Sequence, residues 1–160
     1  DFDIFFWNYR GYGLSEGRVN YSNMKEDVEN ILNHLKKLNK WNKIGVHGIS
    51  IGGIPTCFLG GKNTKKILLI KIKFLIFRTN KVDFLIADRT FSSLENLIIN
   101  FPFGKIVQFF YKLLFFGNSE NSENFKKANI PKVILCDPKD NMVVEFSSLK
   151  SSISNKHISQ

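Results

Sequence analysis

The sequence feature that most constrains this chain is the pentapeptide Gly48-Ile49-Ser50-Ile51-Gly52, which directly follows the apolar run Lys43-Ile44-Gly45-Val46-His47. A short apolar run that leads through a glycine-flanked serine into a helical segment is typical of a nucleophile elbow, in which a strand turns sharply into a helix. A Gly/Ser turn without any chemistry is the alternative interpretation of the pentapeptide. The strand signal before it and the helix signal after it favour the elbow.

A sharp turn of this kind has consequences for Ser50 and its neighbours. The serine must adopt a strained backbone conformation, and we expect Gly48 and Gly52 to provide the clearance that this conformation needs. The turn would lift the Ser50 hydroxyl above the end of a parallel sheet. The backbone N–H of Ile51 would then point to the place where a tetrahedral oxyanion forms. The pentapeptide therefore predicts a nucleophilic serine with one oxyanion donor beside it.

Strand and helix signals alternate along the rest of the chain, which favours an α/β fold with a buried parallel sheet. The predicted strands cover residues 4–7, 43–47, 83–87 and 131–136, and the predicted helices cover residues 23–38, 51–59, a segment from 92 onwards, and 146–153. Capping boxes are predicted at Asn23 with Glu26 and at Ser92 with Glu95. A length of 160 residues, 43% of them hydrophobic, suits a single domain over residues 1–160.

The two cysteines, Cys57 and Cys136, lie in segments that this sheet would bury. Buried thiols in an α/β sheet are usually reduced, which fits an intracellular setting. The chain shows no targeting segment, and its start at Asp1 resembles a truncated end. We therefore expect a cytoplasmic protein, and one that could also associate with a membrane surface.

The formal net charge of +9 comes almost entirely from residues 62–81, which contain seven basic residues and no acidic one. Nothing in this segment resembles the aromatic-plus-basic signature of an RNA-binding sheet or a groove-reading helix, so nucleic-acid binding is not expected. Its apolar stretch is interrupted by Lys71 and Lys73 and is shorter than the roughly 20 residues of a membrane-spanning helix. Residues 62–80 are therefore predicted to be an atypical basic insertion. They either touch an anionic membrane surface or derive from a retained intron, which would give this composition.

Four blocks of the chain carry a family resemblance when they are taken together. They are NYRGYGLSEG (8–17), GISIGG (48–53), DRTFSSL (88–94) and VILCDPKDNMV (133–143). In this order they resemble the α/β-hydrolase superfamily, and within it the serine-aminopeptidase-like branch that includes depalmitoylase-type hydrolases. The resemblance implies a partial α/β-hydrolase fold, with a mostly parallel sheet made of family strands four to seven and flanking helices.

The same resemblance implies a reaction and its residues. A member of this family would hydrolyse a carboxylic ester or thioester, in a small molecule or an acylated protein, through an acyl-enzyme on Ser50 and without a metal or organic cofactor. The family's triad runs in the order serine, acid, histidine, so Asp140 would be the acid. Asp137 and Asp88 are alternative acids. Asp137 could instead cap the turn before Pro138, and Asp88 could instead pair with Arg89.

The histidine of such a triad is the least defined part of the prediction. His157 follows Asp140 and is the candidate base within the chain, whereas a solvated position in the tail is its alternative interpretation. A base located beyond Gln160 is the other expectation. His34 lies on an amphipathic helix remote from the elbow, and His47 ends the elbow strand, where a packed core or turn histidine is expected. A second oxyanion donor would come, in this family, from a loop upstream of Asp1.

Three functional classes follow from the sequence. The first is a serine hydrolase of the esterase or thioesterase type. The second is a catalytically incompetent fragment or pseudo-enzyme that keeps only the fold. The third is a basic module that contacts a membrane surface through residues 62–80.

Overall fold

The computed structural model describes residues 2–62, 65–70, 73–78, 82–99, 101–105 and 120–154, and for 65–70 and 73–78 it describes the backbone alone. The elements in chain order are α1 (Tyr21–Leu38), β1 (Gly45–Ile49), a 3-10 turn (Ser50–Gly52), α2 (Gly53–Gly61), β2 (Lys65–Ile70), β3 (Lys73–Arg78), β4 (Phe84–Asp88), α3 (Leu94–Ile98), α4 (Asn121–Lys127), β5 (Lys132–Leu135), a second 3-10 turn (Glu145–Ser147) and α5 (Leu149–Ser154).

A parallel sheet with the strand order β1-β4-β5 forms the centre of the molecule. In its register His47 lies opposite Ile86, and Ile49 lies opposite Asp88. Strands β2 and β3 form a separate antiparallel hairpin. The predicted α/β class, with a parallel sheet and flanking helices, is confirmed, and the three predicted strands that form this sheet shift by no more than two residues at either end.

The core lies on the face of the sheet that the helices cover. Leu85 and Ala87 of β4 are fully buried there, together with Cys57 of α2. Burial raises the pKa of the Cys57 thiol to about 12, because a thiolate would lose its hydration. Cys57 is therefore an inert, protonated core thiol, as the sequence predicts.

Helix α1 packs through a stripe of apolar residues, Met24, Val28 and Leu32, that recur every fourth residue and are all buried. Its cap differs from the prediction. The helix begins at Tyr21, and the side chain of Asn20 accepts a hydrogen bond from the Asn23 N–H at 2.8 Å. The predicted capping box at Asn23 is wrong because the chain already becomes helical one turn earlier, where Asn20 provides the same chemistry.

The cap of α3 is displaced in the same way, by one residue. Ser93, and not Ser92, accepts the hydrogen bond from the Asn96 N–H. Ser92 is buried and donates from its hydroxyl to the Ser147 carbonyl instead. The predicted final helix is divided into the second 3-10 turn and α5, because Ser148 between them is extended, with ψ of 150°, and its hydroxyl oxygen accepts the Ser151 N–H at 3.1 Å as the cap of α5.

The predicted strand at residues 4–7 is absent, so family strand four does not join the sheet. Ile4, Phe5 and Phe6 are exposed, whereas Trp7 packs against the core beside α1. A strand needs a partner for its backbone N–H and C=O groups. No described strand pairs with this segment, so its apolar sequence alone does not make it a strand.

Cys136 is exposed, which contradicts the predicted burial. It lies one residue past the end of β5, on the outer strand of the sheet. The apolar residues of the face opposite the helices are also partly open to solvent, with Ile49, Phe84, Val133 and Leu135 each 42–51% exposed. The sequence prediction assumed a sheet covered on both faces, and the described residues cover one.

Candidate active site

Ser50 lies at the sharp turn that the pentapeptide predicts. Strand β1 ends at Ile49, and Ser50 opens the 3-10 turn that leads into α2. Its φ of 51° is in the left-handed region, which is costly for a residue with a Cβ. Such a conformation persists only where the surrounding structure enforces it. Ile51 follows in the first turn of the helix, where backbone N–H groups have no acceptor earlier in the helix.

The two glycines of the pentapeptide have different roles. A Cβ on Gly48 would overlap the Gly52 carbonyl and the Thr56 hydroxyl, so the turn closes only because residue 48 has no side chain. A Cβ on Gly52 would meet nothing nearer than the Tyr9 hydroxyl at 3.8 Å, an ordinary contact. The expected need for clearance is therefore met at Gly48, whereas Gly52 has room for a methyl group.

The side chain of Thr90 packs against the turn that contains Ser50. Its buried hydroxyl lies 3.4 Å from the Ser50 carbonyl, 3.5 Å from the Gly48 carbonyl and 3.2 Å from the Asp88 carbonyl. Its side chain also occupies the space that a Cβ on Gly53 would need. The residues after β4 therefore help to hold the strained turn after β1 in place.

Asp140 lies in the turn after β5, at the same edge of the sheet as Ser50, because both follow the carboxyl ends of parallel strands. Its Oδ1 accepts hydrogen bonds from the Met142 N–H at 2.8 Å and the Val143 N–H at 3.0 Å. These bonds lower the pKa of the Asp140 carboxyl, and the charge of Arg89 adds to the effect. Asp140 is therefore an ionised, well-oriented carboxylate, and its two hydrogen bonds to backbone N–H groups leave Oδ2 for a further donor.

The two alternative acids are engaged elsewhere. Asp137 accepts a hydrogen bond from the Lys139 N–H at 2.9 Å and so caps its own turn. Asp88 pairs through Oδ2 with His47 Nε2 at 3.3 Å and through Oδ1 with Arg89 Nε at 3.0 Å. The turn cap of Asp137 and the Asp88–Arg89 pair correspond to the non-catalytic interpretations that the sequence left open. The pairing of Asp88 with His47 was not predicted.

A shallow cavity of about 130 Å³ lies beside Asp140. Its lining combines Arg89 and Lys150 with the two carboxylates of the turn, and it also includes Thr90, which contacts the Ser50 carbonyl. Ser50 itself is not among the residues that line it. The cavity therefore reaches the acid side of the site.

Two of the three histidines of the chain lie in described residues, and one does not. His157, the candidate base, lies outside the described residues. His34 is an exposed residue of α1, and His47 is a half-exposed residue of β1 that pairs with Asp88. Among the described residues, no histidine contacts Asp140.

Sequence reasoning missed two side chains near the elbow, Tyr9 and Thr90. Each belongs to a block that carries the family resemblance, but neither residue type by itself indicates a site. Only their positions in the folded chain identify them: Tyr9 Oη lies 3.8 Å from the place that a Cβ on Gly52 would take, and the Thr90 hydroxyl lies 3.4 Å from the Ser50 carbonyl.

Two known proteins resemble the chain over most of its length, whereas no protein-family model and no solved structure matches it. Protein bem46 of Schizosaccharomyces pombe is 27% identical over 88% of this chain and 42% of its own length. The uncharacterized membrane protein YNL320W of Saccharomyces cerevisiae is 26% identical over 92% of this chain and 47% of its own length. The chain thus spans less than half the length of these relatives.

None of the helices in the described part of the chain is long and apolar enough to cross a membrane. The chain is a distant relative of both proteins, and this similarity supports a hydrolase-like relationship only weakly.

Proposed function

We propose that Ser50 is the nucleophile of a serine hydrolase that cleaves a carboxylic ester or thioester, including one on an acylated protein. The observation that carries this proposal is the φ of 51° at a serine placed between the parallel strand β1 and the helix α2. Strain of this kind at a non-glycine residue clusters at functional sites. A Gly/Ser turn without chemistry would gain nothing from holding a serine in this conformation.

The reaction follows from this arrangement. A histidine removes the Ser50 proton as Oγ attacks the carbonyl carbon, and the N–H of Ile51 hydrogen-bonds the oxygen that becomes negative. The histidine then protonates the leaving alcohol or thiol, and water releases the acyl group in a second, similar step. Asp140 would orient the histidine through its free Oδ2. His157 is the base that we propose from within the chain, and a histidine provided by another part of a longer protein is the alternative.

A fluorophosphonate probe tests the proposal directly, because it phosphonylates activated serines only. We expect the probe to form a single adduct, which peptide mapping by mass spectrometry locates on Ser50. Heat-denatured protein is the matched control and should give no adduct, since activation depends on the folded turn. An unlabelled chain would rule out a base within the chain, His157 included, whereas an unlabelled longer protein that contains this chain would support the pseudo-enzyme interpretation. An adduct on another serine would contradict Ser50 as the nucleophile.

We further propose a second function, contact with an anionic membrane surface, for the hairpin of β2 and β3. Its backbone register places basic residues on the rung at the open end, where Lys65 pairs with Arg78, and on the rung next to the turn, where Ile70 pairs with Lys73. The three rungs between residues 67–69 and 74–76 are apolar in sequence. Apolar area flanked by basic residues is the composition of interfacial elements. The word "membrane" in the name of the budding-yeast relative is in keeping with such a contact.

Co-sedimentation with vesicles tests the second function. Replacing Lys65, Lys66, Lys73 and Arg78 by glutamine should weaken binding to phosphatidylserine-containing vesicles by about tenfold or more, because each basic residue near an anionic surface contributes about 1 kcal/mol before screening. The matched control replaces four exposed lysines outside the hairpin, Lys37, Lys40, Lys43 and Lys139, and should bind as the unmodified chain does. Equal losses in the two variants would show that net charge, and not the hairpin, determines binding.

A further inference from the structure

The register of the hairpin of β2 and β3 places two basic residues directly opposite each other. Lys65 of β2 pairs with Arg78 of β3 at the open end of the hairpin. Opposite residues of an antiparallel pair lie on the same face, with their Cβ atoms about 4.5–5.5 Å apart. The other basic residues of these two strands, Lys66 and Lys73, lie opposite apolar residues. The hairpin therefore has one rung where the backbone brings two positive charges together.

The Lys65–Arg78 rung has no counter-charge within its own hairpin. Like charges opposite each other destabilise a strand pair, and their repulsion grows near an apolar surface, where the dielectric constant is lower. Residues 65–78 contain no acidic residue. Lys62, just before the hairpin, differs in this respect, because its Nζ pairs with Glu29 Oε1 at 2.7 Å. The rung is therefore suited to an anion that comes from outside the chain.

The two charges of the rung determine which kind of anion matches it. A phosphomonoester carries a charge of about −1.5 to −2 at pH 7 and has three strong acceptor oxygens. The guanidinium of an arginine binds phosphate through two parallel hydrogen bonds, and the ammonium of a lysine binds it as a point charge. A carboxylate or a phosphodiester carries a single charge. A phosphomonoester therefore complements Lys65 and Arg78 together, whereas a singly charged group neutralises only one of them.

The same face of the hairpin continues with apolar residues, which favours a lipid as the source of the phosphomonoester. The apolar positions on the face of Lys65 and Arg78 are Ile67, Leu69, Phe74 and Ile76. The first of them lie two residues along each strand, about 7 Å from the basic rung. This is also about the thickness of the headgroup region of one leaflet, roughly 5–8 Å. The face thus matches a lipid headgroup at one end and its acyl chains further along.

We propose that Lys65 and Arg78 form a binding site for the phosphomonoester headgroup of a membrane lipid of the phosphatidic acid type. This inference rests on the second proposed function, the contact of the hairpin with an anionic membrane surface. It adds the class of lipid that the contact selects. Lipids with a phosphomonoester bind through the paired cations, whereas other anionic lipids attract the hairpin only through its total charge.

Co-sedimentation of the complete 160-residue chain with two kinds of vesicle tests the site. Both consist of phosphatidylcholine with one anionic lipid, either phosphatidylserine or phosphatidic acid, and both are adjusted to the same zeta potential. We expect the unmodified chain to bind the phosphatidic acid vesicles about tenfold more tightly, because only this headgroup neutralises both cations. Lys65→Gln and Arg78→Gln should each reduce the preference to about twofold or less. Combining them should reduce it little further, because the two residues act as a unit.

Lys66→Gln and Lys73→Gln are the matched controls. Each removes one positive charge from the same hairpin, at a rung whose other residue is apolar. Each should weaken binding to both kinds of vesicle alike, by about fivefold or less, and should keep the preference for phosphatidic acid. The substitutions of Lys65 and Arg78 remove one of two opposed like charges, so they should not unfold the hairpin.

The outcomes separate this inference from the function on which it rests. Loss of the preference in the Lys65 and Arg78 variants alone supports the site. Equal binding of the unmodified chain to the two kinds of vesicle overturns the site and leaves the membrane contact intact. Loss of the preference in all four variants also overturns the site, because total charge would then determine the selection. Absence of binding to either kind of vesicle overturns both proposals.

Isothermal titration with inorganic phosphate distinguishes a lipid headgroup from a soluble phosphomonoester. We expect no measurable heat of binding in the absence of vesicles, since the apolar part of the face contributes only at a bilayer. Saturable binding of inorganic phosphate that is lost in Arg78→Gln would assign the rung to a soluble ligand and overturn the lipid as its source.

Discussion

Asp140→Asn should lower the kcat for ester hydrolysis by about 10⁴-fold if Asp140 has the proposed triad role, because an amide in place of that carboxylate presents an N–H to the histidine and selects the wrong tautomer. The asparagine side-chain oxygen can still accept from the Met142 and Val143 N–H groups, so the turn should keep its shape. The loss would then arise from the changed partner of the histidine. Hydrolysis of a p-nitrophenyl ester, followed at saturating substrate, measures it.

Asp137→Asn is the matched control for this change. The two aspartates are three residues apart in the same turn, and Asp137 also accepts a backbone N–H through Oδ1. Its replacement should change kcat by no more than about twofold, as for a surface substitution. The reverse pattern, with a large loss at Asp137 and none at Asp140, would show that our choice of acid is wrong.

The base can be identified in the same assay. If His157 is the base, His157→Ala should lose activity, and combining it with Asp140→Asn should cost little more, because residues of one triad act as a unit and their losses do not add. Full activity of His157→Ala would instead assign the base to another histidine.

The parts of the fold that the sequence predicts well are those that depend on local patterns. The stripe of Met24, Val28 and Leu32 determines α1 by its spacing, and the apolar runs at β1, β4 and β5 determine the strands within two residues. A helix or a buried apolar run carries this information within a few neighbouring residues.

The parts that the sequence predicts poorly depend on distant partners. Residues 4–7 have the composition of a strand, but pairing needs a second edge, which the described strands do not provide. Cys136 has the composition of a core residue, but its burial depends on what covers the outer strand β5. Asn20 and Asn23 are chemically equivalent caps, so the sequence alone cannot choose between them.

The candidate site shows the same division. The pentapeptide predicts the sharp turn at Ser50 because the turn is local, and the left-handed φ of Ser50 fits that geometry. The support that Thr90 gives to the turn comes from a segment about 40 residues further along the chain, so only the folded chain brings it to the elbow.

Gly48→Ala should destabilise the fold by about 3 kcal/mol or more, since the added methyl group overlaps backbone atoms of Gly52 that cannot move without rebuilding the turn. Gly48 and the nearby Thr56 are both buried, so no solvent-filled space is available to relieve the overlap. In a chain of this size the loss corresponds to a decrease in Tm of about 6–12 °C. Thermal unfolding followed by circular dichroism measures it.

Gly52→Ala is the matched control. It also replaces a glycine of the pentapeptide, but at a position where a methyl group has room. Residue 52 has a helical φ of −61°, and a methyl group there meets only the Tyr9 hydroxyl at 3.8 Å. Alanine restricts the unfolded chain more than glycine does, so this variant should be as stable as the unmodified chain or more stable by about 0.4–1 kcal/mol. Equal destabilisation by the two substitutions would mean that the turn requires both glycines and that the geometry described for Gly52 is wrong. Destabilisation by Gly48→Ala alone would show that the strained serine depends on one close backbone approach, between residue 48 and the carbonyl of residue 52.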